Sequence, residues 1–388
     1  MSSRDSAATS APFDDLSLAE LQQRRSAKWR FYPGDVLPAW VAEMDFPIAA
    51  PIKDALHAAI DRDDLGYASA RDIGPAFAAF AERAFGWRVE PAHVMLVADA
   101  VVGLAEVLKV VTQRGDRVAI NSPVYPPFYQ VIAETERAVE DVPLLRGDGT
   151  WDLDLAALER AYAGGVRAHI LCSPHNPVGR VFERETLAAL AELAARYDVT
   201  VIADEIHAPL TLPGATHVAF PLVAEAAGAD CVVVTSASKT WNLPGLKCAL
   251  IVAGSARAAK QLAAIPAEVA YRAGHFGVIG TLAAFEHGDP WRREALAQID
   301  RNRTFLAELL SASLPEIGYA PPQASYLAWL DCRALGLDDP AAIFLKRGRV
   351  ALTSGRPFGG IGSDFVRLNM GTSAAILEEI VTRMRSAL

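Results

Sequence analysis

Three times in its middle third the chain alternates a short apolar run with a helical pattern, and that alternation leaves few architectures open. After "HVMLVAD" comes "AVVGLAEVLKVVTQRGD", in which Leu104, Val107, Leu108 and Val111 fall on one helical face, and the strand-like "RVAIN" follows. The pattern recurs with "AHILCSP" (Ala168 to Pro174), the helix pattern "ETLAALAELAARYD" with Leu187, Leu190, Leu193 and Ala194 on one side, and then "VTVIADE". It returns once more towards "CVVVTSASK". Apolar strands joined by helical crossovers form a mostly parallel α/β sheet flanked by helices.

The last hundred or so residues read differently. A long helix pattern runs from about Trp291 to Leu310, followed by strand-like "ASYLAWLD", "VALTSG" and "DFVRLNM" and a final helix near Ile376 to Met384. With 388 residues the chain is too long for one ordinary core. The expected division is a disordered tail over 1–12, a segment 13–48 packed on the smaller domain, a large domain 49–285, and a small α+β domain 286–388. The segment belongs with the small domain because "PAWVAEMDFP" is too apolar to be left in solvent.

Charge and cysteine usage remove several function classes. The formal net charge is -9, with no block of consecutive Lys and Arg, which argues against nucleic acid or an anionic membrane as a partner. The four cysteines, Cys172, Cys231, Cys248 and Cys332, stand singly, so they read as buried thiols in a reducing cytosol. No histidine pair has the spacing of a metal hydrolase, and no metal is expected. The polar N-terminus lacks the apolar stretch of a secretory signal, and no apolar run reaches the roughly 18 residues of a membrane span. The expected location is the cytoplasm.

In an open parallel sheet, ligands bind beyond the carboxyl ends of the strands. Three unusual polar groups fall there: Asp204 at the end of "VTVIA", Asn176 after "HILCSP", and Ser236, Ser238 and Lys239 after "CVVVT". A lysine so placed can form a Schiff base with an aldehyde cofactor, and a carboxylate can keep a pyridine nitrogen protonated. Small hydroxyl residues beside the lysine can hydrogen-bond a phosphate. Together these describe a pyridoxal-phosphate site, although a lone lysine after a strand is more often an ordinary surface lysine.

The motifs "SPHNPVG", "DEIHAPL", "SASKTWNLPGLKCA" and "FVRLNMG" stand in an order and spacing that resembles fold-type I pyridoxal-phosphate enzymes of the class I/II aminotransferase superfamily. The likeness runs from about Phe31 onward. It implies that Lys239 carries the cofactor and shuttles the proton, that Asp204 pairs with the pyridinium, and that Asn176 bonds the ring phenolate oxygen. Tyr125, in "NSPVYPPF", would stack on the pyridine face; the plainer reading is a core aromatic. The phosphate would be held by Ser236, Ser238 and the backbone of Ala100 and Val101, where a helix begins. Lys247 stands where many relatives have arginine, so it would give a point charge or simply be solvated. Tyr67, in "LGYASA", matches a tyrosine that reaches the neighbouring subunit's phosphate, which implies a homodimer with shared sites. Arg367 would grip the substrate α-carboxylate with a two-pronged fork.

The cofactor permits several reactions, so the fold alone does not choose among them. "LPAWVAEMDFP" (Leu37 to Pro47) resembles the W-V-A-D-M-D-F segment of carbon-sulfur β-lyases related to cystathionine β-lyase, and it puts Val41 and Ala42 beside the substrate. His207 in "DEIH" points the same way, since typical aminotransferases have tyrosine there. Glu43, where the lyases usually have aspartate, and Arg272 and His275, where small residues are expected, depart from the pattern and bear on substrate identity. The resemblance implies β-elimination from L-cystathionine or a related cysteine thioether. An aminotransferase with the same site, or a cofactor-binding regulatory protein, are the alternatives.

Overall fold

A computed structural model describes residues 13–147 and 149–388; the tail expected over 1–12 lies outside them. The apolar runs form a seven-stranded sheet. Its strands are β1 (Val94–Val97), β2 (Arg117–Ile120), β3 (Ala138–Asp141), β4 (Val166–Cys172), β5 (Thr200–Asp204), β6 (Cys231–Thr235) and β7 (Ala249–Ala253), in the spatial order β1-β7-β6-β5-β4-β2-β3. Every strand runs the same way except β7, which pairs antiparallel with both β1 and β6. All residues of β5, β6 and β7 are buried, as the unbroken β-branched and apolar runs of a sheet covered on both faces require.

Helices cover both faces. Ala100–Val111 buries Leu104, Val107 and Leu108, and Arg184–Tyr197 buries Leu187, Leu190, Leu193 and Ala194, ending at Asp198 in the left-handed conformation (φ 54°). The sheet therefore separates two apolar clusters, one holding Leu171, Val201 and Val233 and the other Ile170, Ile202 and Val232. The alternation along each strand divides its side chains between the two faces.

A third cluster gathers Phe13, Leu21, Trp29, Leu37, Met44 and Phe46 with Leu306, Leu310, Tyr326, Leu368 and Leu377. It is built on the helices Asp289–Ser313 and Ala374–Ser386 and on a four-stranded antiparallel sheet, β8 (Gly318–Tyr319), β9 (Leu327–Asp331), β10 (Thr353–Ser354) and β11 (Phe365–Asn369), in the order β8-β9-β11-β10. "VALTSG" is not one strand. Val350–Ala351 pairs in parallel with Leu37–Pro38, and only Thr353–Ser354 joins β11, so the chain changes partner at Leu352. The N-terminal segment supplies that first partner, which no local pattern announces. Among the described residues no helix is long and apolar enough to cross a membrane, and all four cysteines are buried and unpaired.

Candidate functional site

A cavity of about 430 Å³ opens beyond the carboxyl ends of β1, β4, β5 and β6. Lys239 enters it from the turn after β6. That turn is braced by Ser236, whose hydroxyl donates to the Cys248 carbonyl (2.6 Å) and accepts from the Ser238 N–H (3.0 Å). Burial, with help from the Arg367 charge, lowers the Lys239 ammonium to about 8. The free amine is thus reached far closer to neutrality than for an exposed lysine.

Asp204, the last residue of β5, is 5% exposed. Its carboxylate accepts from the Ile206 N–H (3.2 Å), and burial pushes it up to about 6, partly offset by that bond and by Lys239. Among the described residues no lysine or arginine forms an ion pair with it. A buried carboxylate in that condition calls for a cationic N–H partner.

Arg367 lies on β11 and reaches across to the large sheet, 6% exposed. Its Nη1 donates to Asn176 Oδ1 (3.0 Å) and its Nη2 to the Trp40 carbonyl (3.2 Å) and the Thr353 hydroxyl (3.4 Å), while Nε is buried with no partner. The guanidinium sits 5.2 Å from the Phe358 ring centre, and burial lowers it to about 10. No carboxylate of the described residues pairs with it, so neutral groups hold a buried guanidinium in place and its charge is left for an anion.

Asn176 is set by its own N–H, which reaches Cys172 Sγ at 3.3 Å. Tyr125 lines the same space, its hydroxyl pushed above the ordinary range by burial and by Asp204. His207 also faces it. Burial, then the charges of Lys239 and Arg367, keep its ring neutral down to about 3, and Nδ1 is buried without a partner.

The helix Ala100–Val111 points its first turn into the cavity, where Ala100 and Val101 are lining residues. Its N-cap Asp99 accepts from the Val102 N–H (2.9 Å) and pairs with Lys247 Nζ (3.0 Å). Lys247 is thus an exposed lysine at the cavity mouth that pairs with the cap. Val41 and Ala42 close the side of the cavity that faces the small sheet. Tyr67 is not brought in. It is 86% exposed and meets Tyr271 edge-on at 6.3 Å.

These groups fit a pyridoxal phosphate. An amine, a carboxylate without a cation, an unpartnered imidazole nitrogen and a helix N-terminus surround one cavity, with a guanidinium that has no carboxylate partner beside them. Four polar groups at or beside the site were not anticipated from sequence: Thr353, Tyr326, Asn242 and Asn369. Asn369 carried a signal, since it stands two residues after Arg367 on a buried strand and must share its face.

Comparison with known proteins agrees with this geometry. The Aminotransferase class I and II family matches residues 42–384. A Mycobacterium tuberculosis protein provisionally named cystathionine beta-lyase is 44% identical over 405 residues, 97% of this chain and 98% of that one. Cystathionine beta-lyase PatB of Bacillus subtilis is 35% identical over 374 residues, 94% of this chain and 97% of that one. The solved structure of cystalysin from Treponema denticola, which contains a pyridoxal 5'-phosphate cofactor, superimposes with a TM-score of 0.89 at 25% identity, covering 97% of this chain and 98% of that one. The chain belongs to the aminotransferase class I and II family.

Proposed function

We propose that the protein is a pyridoxal-phosphate-dependent carbon-sulfur β-lyase that cleaves L-cystathionine or a related cysteine thioether to a thiol, pyruvate and ammonia. The observation that carries this reading is the pairing of a Lys239–Asp204 cofactor cradle with a buried Arg367 that lacks an anion. The relatives named cystathionine beta-lyase support the choice of reaction.

In this reading Lys239 holds the cofactor covalently, Asp204 keeps its ring nitrogen protonated, Asn176 and His207 face the ring oxygen, and Tyr125 covers the ring. Ser238, the Ala100 and Val101 N–H groups and Lys247 hold the phosphate. Ser236 acts through the turn, since its proton already goes to Cys248. The bound cofactor supplies a sink for the electrons of a broken Cα–H bond. Arg367 grips the substrate carboxylate and aims the Cα–H bond at Lys239. Once the substrate's amino group has displaced it from the cofactor, the freed Lys239 amine takes the proton; the electron pair left on Cα then forms the Cα–Cβ double bond as the Cβ–S bond breaks and the thiolate departs with its pair. The resulting enamine hydrolyses to pyruvate and ammonia.

The reading includes a homodimer, supported by the outward-facing Tyr67, which is free to reach a neighbour's phosphate. It includes a cytoplasmic location, supported by four buried, unpaired thiols. It keeps the division into a segment 13–48, a large domain 49–285 and a small domain 286–388. The test is cofactor-loaded protein with L-cystathionine and no keto acid. Equal release of pyruvate and thiol is expected; amino transfer only on addition of a keto acid would replace the lyase with an aminotransferase.

A further inference from the structure

The segment Trp40–Met44 meets the site almost entirely through its backbone. The Trp40 carbonyl accepts from Arg367 (3.2 Å) and from the Thr353 hydroxyl (2.5 Å). The Ala42 carbonyl accepts from Lys239 Nζ (3.1 Å) and from the Tyr326 hydroxyl (3.1 Å). The alternate carbonyls, of Val41 and Glu43, instead accept from Asn369 Nδ2, both at 2.7 Å. The Glu43 N–H closes back on the Val41 carbonyl (2.9 Å), making a three-residue turn that drives the Ala42 carbonyl towards the lysine. Asn242, three residues after Lys239, grips both the N–H (2.9 Å) and the carbonyl (2.8 Å) of Met44.

We propose that the Ala42 carbonyl is the resting acceptor for the Lys239 amine whenever that lysine is not covalently engaged, and that Tyr326 and Asn369 are positioning residues that set the strength and direction of this acceptor. The proposal rests on the reading of Lys239 as the cofactor lysine. A carbonyl oxygen has two lone pairs. Tyr326, 0% exposed, occupies one of them and leaves the other for Lys239. Its O–H draws charge from the oxygen, so the carbonyl holds an ammonium less tightly than it would with one donor. Asn369 fixes the flanking amides, without which the oxygen could rotate away.

The two residues therefore act on Lys239 with opposite signs. Tyr326→Phe leaves a stronger acceptor and raises the lysine's titration midpoint. Asn369→Ala removes the acceptor's aim and lowers it. The charged and titratable groups facing Lys239, namely Arg367, Asp204, Glu43, Lys247 and His207, are the same in both variants.

The experiment is competitive acetylation of the apoprotein across pH, with the Lys239 peptide quantified against the exposed Lys53 by mass spectrometry. Midpoint shifts of about half a pH unit or more, upward for Tyr326→Phe and downward for Asn369→Ala, are expected. In the loaded enzyme the acidic limb of kcat moves with them while KM, set by Arg367, stays. Unchanged midpoints, or shifts of one sign in both variants, overturn the proposal; if Asn369→Ala fails to fold, the sign of Tyr326→Phe decides alone. Borohydride reduction of the loaded wild type keeps the two failures apart. Attachment at another lysine sinks the reading of Lys239 itself, whereas attachment at Lys239 with unchanged midpoints sinks only the role of Ala42.

Discussion

His169 and His207 are both buried, and burial keeps both rings neutral down to about 3, yet their surroundings differ. His169, on β4, is satisfied on both nitrogens. The Tyr162 hydroxyl meets Nδ1 at 2.7 Å, Nε2 meets Asn121 Oδ1 at 2.7 Å, and the Asn121 amide passes on to the Val142 carbonyl at 3.0 Å. That chain of donors fixes the proton on Nε2. His207, beyond the end of β5, has a buried nitrogen with nothing to meet. Its neighbours Asp204 and Arg367 are equally short of counter-charges. Burial alone thus does not separate these two histidines; what does is an unpartnered nitrogen that faces the cavity.

Substitutions at the two places should fail in different ways. The largest effect belongs to Lys239→Ala, where loss of the general base alone lowers turnover by roughly 10²–10⁴-fold, with the covalent anchor lost as well. Unchanged pyruvate formation by that variant would contradict the assignment.

His169→Phe should instead damage the fold. It strands the Tyr162 hydroxyl and the Asn121 amide, at about 1–3 kcal/mol for each buried group, while activity per folded molecule persists. Urea unfolding beside active-site titration separates these effects.

Asp204→Asn should do the reverse in the apoprotein. Burial lifts this carboxyl from 3.8 to about 6, so the fold prefers its protonated form. Stability is lost as pH climbs from the unfolded value through the folded one, and remains lost above it. The variant escapes that loss and should gain about 1–3 kcal/mol near neutrality, with the gain vanishing below the unfolded value. Its cofactor affinity should fall. A destabilised apoprotein at neutral pH would break the comparison.

His207→Gln is the mildest case. With no partner at Nδ1 to lose, apoprotein stability should fall by less than in His169→Phe, while the absorbance of the bound cofactor shifts. A large loss of stability would show that His207 is structural after all.

The sequence exposed the part of the site that hangs on strand ends. Asn176, Asp204 and Lys239 each follow an apolar run too regular to be anything but a buried strand, so a polar residue there stands out. Arg367 was visible only through its motif, because one arginine in a strand is ordinarily solvated. Tyr326, Thr353, Asn242 and Asn369 escaped because they bind backbone oxygens, and a backbone oxygen leaves no mark on residue type. Lys247 was named from its motif, but its pairing with Asp99 was not, because that partner lies 148 positions away. The meaning of Tyr67 depends on a second chain, which no single sequence displays.

The carbonyl row at Trp40–Met44 has an implication for how such a site drifts through evolution. Every amino acid supplies the same oxygen, so an exchange of side chain at Val41 or Ala42 leaves these carbonyl contacts in place, whereas Glu43, whose charge faces Lys239, and the fully buried Met44 also act through their side chains. Proline is the exception at 43 and 44, where the N–H groups bond Val41 and Asn242. For the carbonyl contacts themselves, fragility is concentrated in the distant side chains that read the row.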